Sequence, residues 1–111
     1  MIRRGDIYLV NLSPVRANEA SDIRPAVVVT NNLANEEGTM LTVVPMTSNT
    51  QKIYPFQVLL PLERTELDMD SKAQIEQIRS ISHSRLIKRL GFVPDDLMQQ
   101  IGSRIRLHLA V

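Results

Sequence analysis

Residues Ala26 to Thr30 read AVVVT, a run that is rich in β-branched residues and almost unbroken in its apolarity, and no other stretch narrows the fold as much. Branching at Cβ restricts χ1 and suits an extended, pleated backbone. A run that is apolar on both faces must be covered on both, so AVVVT predicts a central strand. Similar segments lie around it. Ile7, Leu9 and, less strictly, Asn11 alternate with Tyr8, Val10 and Leu12 behind a Gly5-Asp6 turn, while Met40 to Met46 (MLTVVPM) and Phe56 to Leu62 (FQVLLPL) come later; each has strand character. Pro45 and Pro61 have no N–H to give a ladder, which predicts that Met46-Thr47 leaves the sheet and that FQVLLPL is an edge or exit strand. Polar connections are expected at residues 31–38 and at ERTELDMD, and a further strand is expected across Ala73 to Ile81, where Ile and Ser recur.

Helical periodicity becomes clear only near the end. Pro94-Asp95-Asp96 places acids where a helix N-terminus favours them, and Leu97, Met98, Ile101, Ile105 and Leu109 follow at close to 3.6-residue spacing. Many short strands and one late helix, with no βαβ rhythm, predict a mainly β fold: a small, mostly antiparallel barrel carrying a C-terminal helix. At 111 residues the chain suits one domain spanning 1–111.

Several function classes lose support on composition. There is no cysteine, hence no disulfide, thiolate nucleophile or Cys-based zinc site, as suits a cytoplasmic protein. The opening MIRRGDIYLV lacks the apolar core of a signal peptide, and no apolar run approaches a membrane span, so neither export nor insertion is expected. Thirteen Lys+Arg against twelve Asp+Glu is far from the excess that grips duplex DNA through many phosphates. Nucleic-acid contact would need a local patch, for which Arg79, Arg85, Lys88 and Arg89 are candidates; a solvated charged face is the alternative. His83 and His108 are the only imidazoles, and their separation gives no metal-binding pair. No Gly-rich phosphate loop, nucleophile elbow or paired-aspartate metal motif is present either.

Two places could carry chemistry. Arg24 precedes Pro25, which forces the arginine towards an extended backbone and fixes its direction; a guanidinium offers planar, permanently charged donors suited to phosphate. An ion pair with Glu19 or Asp22 would account for Arg24 equally well. Thr47-Ser48-Asn49-Thr50 follows a strand and could aim hydroxyl donors at developing negative charge, or could simply form a turn. Between the first two strands, VRANEASDI (Val15 to Ile23) has neither period and reads as a long loop of the kind that often carries function.

Four ordered segments, R-R-G-D-I-Y, N-E-A-S-D-I-R-P-A-V-V-V, V-P-M-T-S and S-K-A-Q-I-E-Q-I-R-S-I, resemble the MazF/PemK family of bacterial toxin endoribonucleases, over nearly the whole chain. The resemblance implies an SH3-like β-barrel with appended helices, a homodimer, and a MazE-type antitoxin partner. It also implies metal-independent cleavage of single-stranded RNA at short motifs, leaving 2′,3′-cyclic phosphate and 5′-hydroxyl ends, with no cofactor. By position, Arg24 and Thr47 match the catalytic pair, and Glu19 matches an acidic residue of the neighbouring loop, as base or as the group that orients Arg24. Ser71 and Gln77 match base-contacting positions; Arg16, Ser48 and Arg79 are further RNA-binding candidates. The family's loop usually reads S-E-Q-x-G-x-R-P, whereas N-E-A-S-D-I-R-P lacks the Gln and the Gly, which bears on loop shape and target motif. The second reading is a non-enzymatic toxin on the same barrel that binds DNA gyrase, as CcdB toxins do; it would need neither Arg24 nor Thr47. A small SH3-like binding module is disfavoured by the scarcity of aromatics.

Overall fold

The computed structural model describes residues 1–13 and 23–111. Seven strands and three helices alternate along these residues: β1 (Asp6–Asn11), β2 (Ile23–Val28), α1 (Asn32–Glu37), β3 (Met40–Thr47), β4 (Gln57–Leu60), α2 (Leu62–Thr65), β5 (Ser71–Gln74), β6 (Arg79–Ser82), β7 (Leu86–Phe92) and α3 (Asp95–Leu109). Short 3₁₀ turns at Ile75–Gln77 and His83–Arg85 separate β5 from β6 and β6 from β7.

All the pairings are antiparallel, in the order β4-β5-β3-β2-β1-β7, with β6 also on β3. The strand expected at AVVVT is central, with β1 on one side and β3 on the other, but it runs from Ile23 to Val28, taking in Arg24-Pro25 and ending before Val29-Thr30. β3 uses Met40 to Val43 to pair with β6 and Met46-Thr47 to pair with β5. This fork corrects two expectations. Met46-Thr47 does not leave the sheet at Pro45 but passes to a new partner, since a missing N–H removes one ladder bond and leaves the following residues free to pair. The barrel does not close either: among the described residues β4 and β7 stand at the two ends of the strand order and do not pair. The sheet divides where a closed barrel would continue round.

Alternation along the strands produces two apolar clusters. Ile7, Val27, Val44, Met46, Ala73 and Ile75 face α3, whose Leu97, Met98 and Ile101 are buried against them. Each such Val, Ile, Leu or Met side chain contributes roughly 1.5–3 kcal/mol by leaving water. The acids Asp95 and Asp96 occupy the first turn of α3 and Arg106 and His108 the last, complementing the helix dipole. On the other face, Val10, Leu12, Ala26, Val28, Leu41, Val43 and Ile81 form a smaller cluster. The connection at residues 31–38 contains a helix that the sequence reading missed, started by Asn31, whose side chain accepts from the Ala34 N–H at 2.9 Å.

Candidate active site

Backbone register brings the site together. Val10 pairs with Arg24 and Leu9 with Pro25 across β1 and β2. Across β2 and β3, Ala26 pairs with Pro45, and the same register carried two residues further sets Arg24 opposite Thr47. Thr47 pairs in turn with Lys72 of β5. Residues directly opposite in an antiparallel pair point to the same face, so Arg24, Thr47, Lys72 and, two positions on, Gln74 share one side of the sheet. This is the side that carries the smaller apolar cluster, and it becomes polar where β3 passes from β6 to β5.

The guanidinium of Arg24 is half-buried there. Its Nη1 donates to the Met46 carbonyl at 3.3 Å and to Gln74 Oε1 at 3.1 Å. The Met46 carbonyl belongs to the peptide that leads into Thr47, so cation and hydroxyl residue are neighbours. Burial disfavours the charged form and lowers the pKa of Arg24 below that of free arginine. The Thr47 hydroxyl accepts from the Asn49 N–H at 3.2 Å, an interaction that orients its oxygen and leaves its proton available to donate. The turn role expected for Thr47-Ser48-Asn49 and a chemical role are thus compatible.

Of the other candidates, Ser71 begins β5 but points to the opposite side from Lys72 and Gln74. With Thr47, Ser48, Pro25 and Met46 it lines a cleft of about 440 Å³ on the far face of the strand end, whose lining does not include Arg24. Ser48 is exposed at its rim. Gln77 lies in the 3₁₀ turn after β5. Arg79 stands opposite Val43 and donates to the Leu12 carbonyl at 3.2 Å, while Arg85 donates to the carbonyls of Asn11, at 3.1 Å, and of Ser13. Both arginines therefore fix the chain end from which residues 14–22 depart. Arg89 pairs with Asp6 at 3.3 Å, so the four cations do not form one uncommitted patch. Glu19, Asp22 and Arg16 fall outside the described residues. His83 opens a 3₁₀ turn, and His108 is exposed in the last turn of α3.

Two residues of this face escaped the sequence reading. Gln74 receives the Arg24 guanidinium, and Lys72 is 7% exposed. The alternation of Lys72 and Gln74 with Ala73 and Ile75 was the available signal. Which strand would face them was not.

Comparison with known proteins shows the family and the fold. Residues 3–109 match the family described as PemK-like, MazF-like toxin of type II toxin-antitoxin system. The chain is 50% identical, over 98% of its length and 97% of the other's, to a Mycobacterium tuberculosis protein named endoribonuclease MazF9. Its fold superposes on MazF from Deinococcus radiodurans with a TM-score of 0.85 at 24% identity, covering 99% of this chain and 97% of that one. It likewise superposes on Mycobacterium tuberculosis toxin MazF-mt6 with a TM-score of 0.79 at 16% identity, covering 96% and 97%. A family match from one end of the chain to the other, joined to half-identity with one of its named enzymes, makes this chain a member of the PemK-like, MazF-like toxins of type II toxin–antitoxin systems.

Proposed function

We propose that the protein is an endoribonuclease toxin that cuts single-stranded RNA at short sequence motifs, without metal, by attack of the RNA's own 2′-hydroxyl on the adjacent phosphate. The observation that carries the reading is the 50% identity along the whole chain to a protein named endoribonuclease MazF9. A gyrase-binding toxin on the same fold would leave Arg24 and Thr47 without a purpose.

The reaction needs the 2′-hydroxyl to lose a proton, the 5′-oxygen to gain one, and the phosphorus to be held for in-line attack. Negative charge gathers meanwhile on the non-bridging oxygens. Arg24 neutralises that charge, and Thr47 donates a hydrogen bond to it. An arginine is a poor base near neutral pH, so Arg24 stabilises charge, and Glu19 serves as base or orients the guanidinium. Gln74, bonded to Arg24 at 3.1 Å, holds the guanidinium near Thr47. Ser48, Ser71, Gln77, Arg16 and Arg79 are the RNA-contacting candidates, with Ser71 approaching from the far side of the strand. Two copies form a two-fold dimer, and an antitoxin of the MazE type covers the RNA surface; a Mycobacterial endoribonuclease of the same fold is known in complex with its cognate antitoxin. A toxin that acts on RNA and is held by an antitoxin works in the cytoplasm.

Incubation of the purified protein with a long single-stranded RNA in EDTA tests this reading. Fragments ending in 2′,3′-cyclic phosphate and beginning with 5′-hydroxyl are expected, from a species of twice the 12.6 kDa chain mass by light scattering. Intact RNA, together with inhibition of gyrase, would replace the enzyme with the gyrase-binding reading.

A further inference from the structure

The polar face continues beyond the catalytic pair. Gln74 pairs with Gln57 of β4, and Gln57 is bonded reciprocally to Tyr54: its Oε1 accepts from the Tyr54 N–H at 3.1 Å, and its own N–H donates to the Tyr54 carbonyl at 2.9 Å. Tyr54 is thereby fixed to the strand that neighbours Gln74. Tyr54 is 41% exposed, and its ring stacks on Phe56 with centroids 5.3 Å apart and planes 15° from parallel. Two ammonium groups attend it. Lys52 Nζ lies over the ring at 4.5 Å, and Lys72 Nζ lies 5.8 Å from the same centroid while donating to the Lys52 carbonyl at 2.6 Å. Lys72 is the residue paired with Thr47, so a single lysine side chain spans from the strand position beside the catalytic hydroxyl to the aromatic pair.

A protein with two Tyr, two Phe and no Trp has thus placed half its aromatics in one stacked pair, beside two lysines and on the face that carries Arg24. Stacked, partly exposed aromatics recognise the π-face of an unpaired base, and adjacent cations hold the phosphates on either side of it. We propose that Tyr54, with Lys52 and Lys72, is a base-stacking subsite for a nucleotide beyond the two that the scissile phosphate joins. The proposal rests on the reading of the chain as an RNA-cutting enzyme. An arriving base takes the place of Lys52 over the ring, and the exposed Lys52 side chain swings to a phosphate. Stacking is tolerant of base identity, so the subsite sets affinity for the strand and leaves the cleavage motif to other residues.

Because the chain has no tryptophan, Tyr54→Trp provides a single reporter. Its emission should be quenched when a 2′-O-methyl oligonucleotide, which cannot be cut, is added at saturation. Tyr54→Ala should lose about ten-fold in kcat/KM on a long RNA, mostly through KM. It should lose little on the shortest RNA that is cleaved, and Tyr54→Phe should restore wild-type behaviour. Wild-type kinetics for Tyr54→Ala on long RNA, or unchanged emission at saturating oligonucleotide, would overturn the subsite and leave the enzyme intact. Failure of the wild-type protein to cut any RNA would overturn the enzyme reading and the subsite with it. Where Tyr54→Ala does not fold, as judged by its melting curve, the tryptophan reporter alone decides.

Discussion

A half-buried guanidinium carries a desolvation cost, and that cost is visible in the direction of the Arg24 pKa, which burial lowers. A folded-state pKa below the unfolded one means that the cation is less at ease in the folded protein. The penalty is present at every pH below the folded pKa, including neutral pH, and is relieved only above it. Under the proposed function the compensation is that a fixed cation meets charge that develops during the reaction. Arg24→Met, which keeps length and loses charge, should therefore melt at or above the wild-type temperature while RNA cleavage falls by at least about a hundred-fold. Thr47→Val, which keeps shape and loses the hydroxyl, should cost about a hundred-fold in single-turnover rate. Circular dichroism melting and single-turnover cleavage check both variants. A folded Arg24→Met protein that cuts at the wild-type rate would remove Arg24 from the chemistry. At this scale the sequence was informative: the Arg-Pro step and the hydroxyl run stood out because both residue types suit phosphate chemistry. Gln74 did not, because a glutamine in an alternating strand is unremarkable until the strand beside it is known.

Among the elements, β3 is decisive because it changes partner midway, and the change puts Thr47 between Arg24 and Lys72. β1 was legible from its alternation and β2 and β4 from their apolar, β-branched runs, and so was α3, where an apolar stripe at helical spacing follows paired acids. α1 was read as a loop because Asn-Asn and Glu-Glu-Gly are ordinary turn residues, although Asn31 is in fact an N-cap. β7 was not assigned because Lys88 and Arg89 stand side by side and obscure its alternation; both are exposed. β7 also runs close against the end of α2 at Gly91. A Cβ added there would stand 2.2 Å from the Thr65 carbonyl oxygen at the end of α2, and backbone cannot move aside as a flexible side chain can. Gly91→Ala should destabilise by about 1–3 kcal/mol, seen as a drop in melting temperature of several degrees or more. An unchanged melting temperature would show that α2 is not held against β7 as described.

For the whole molecule, the sheet is a frame whose two faces serve different ends. One is closed by α3 and carries the larger core. The other is apolar near β6 and polar near β5, and the polar part holds Arg24, Thr47, Gln74 and Lys72 in one row of paired strands. Among the described residues the barrel expected from the sequence is open, because strand count and alternation define a sheet, whereas closure depends on which edges meet, and β3 divides its edge between two strands. Residue order and spacing sufficed for the family, but not for the direction in which Ser71 points. The central chemical claim, that the nucleophile is the RNA's own 2′-hydroxyl acting at Arg24 and Thr47, is tested most directly with two matched oligonucleotides. They are identical except for a single 2′-deoxy sugar on the 5′ side of the mapped cleavage site. The expected result is cleavage of the all-ribose strand and none of the substituted one, although both bind equally. Cleavage of the substituted strand at that bond would contradict the claim, because the attacking oxygen would then have to come from elsewhere.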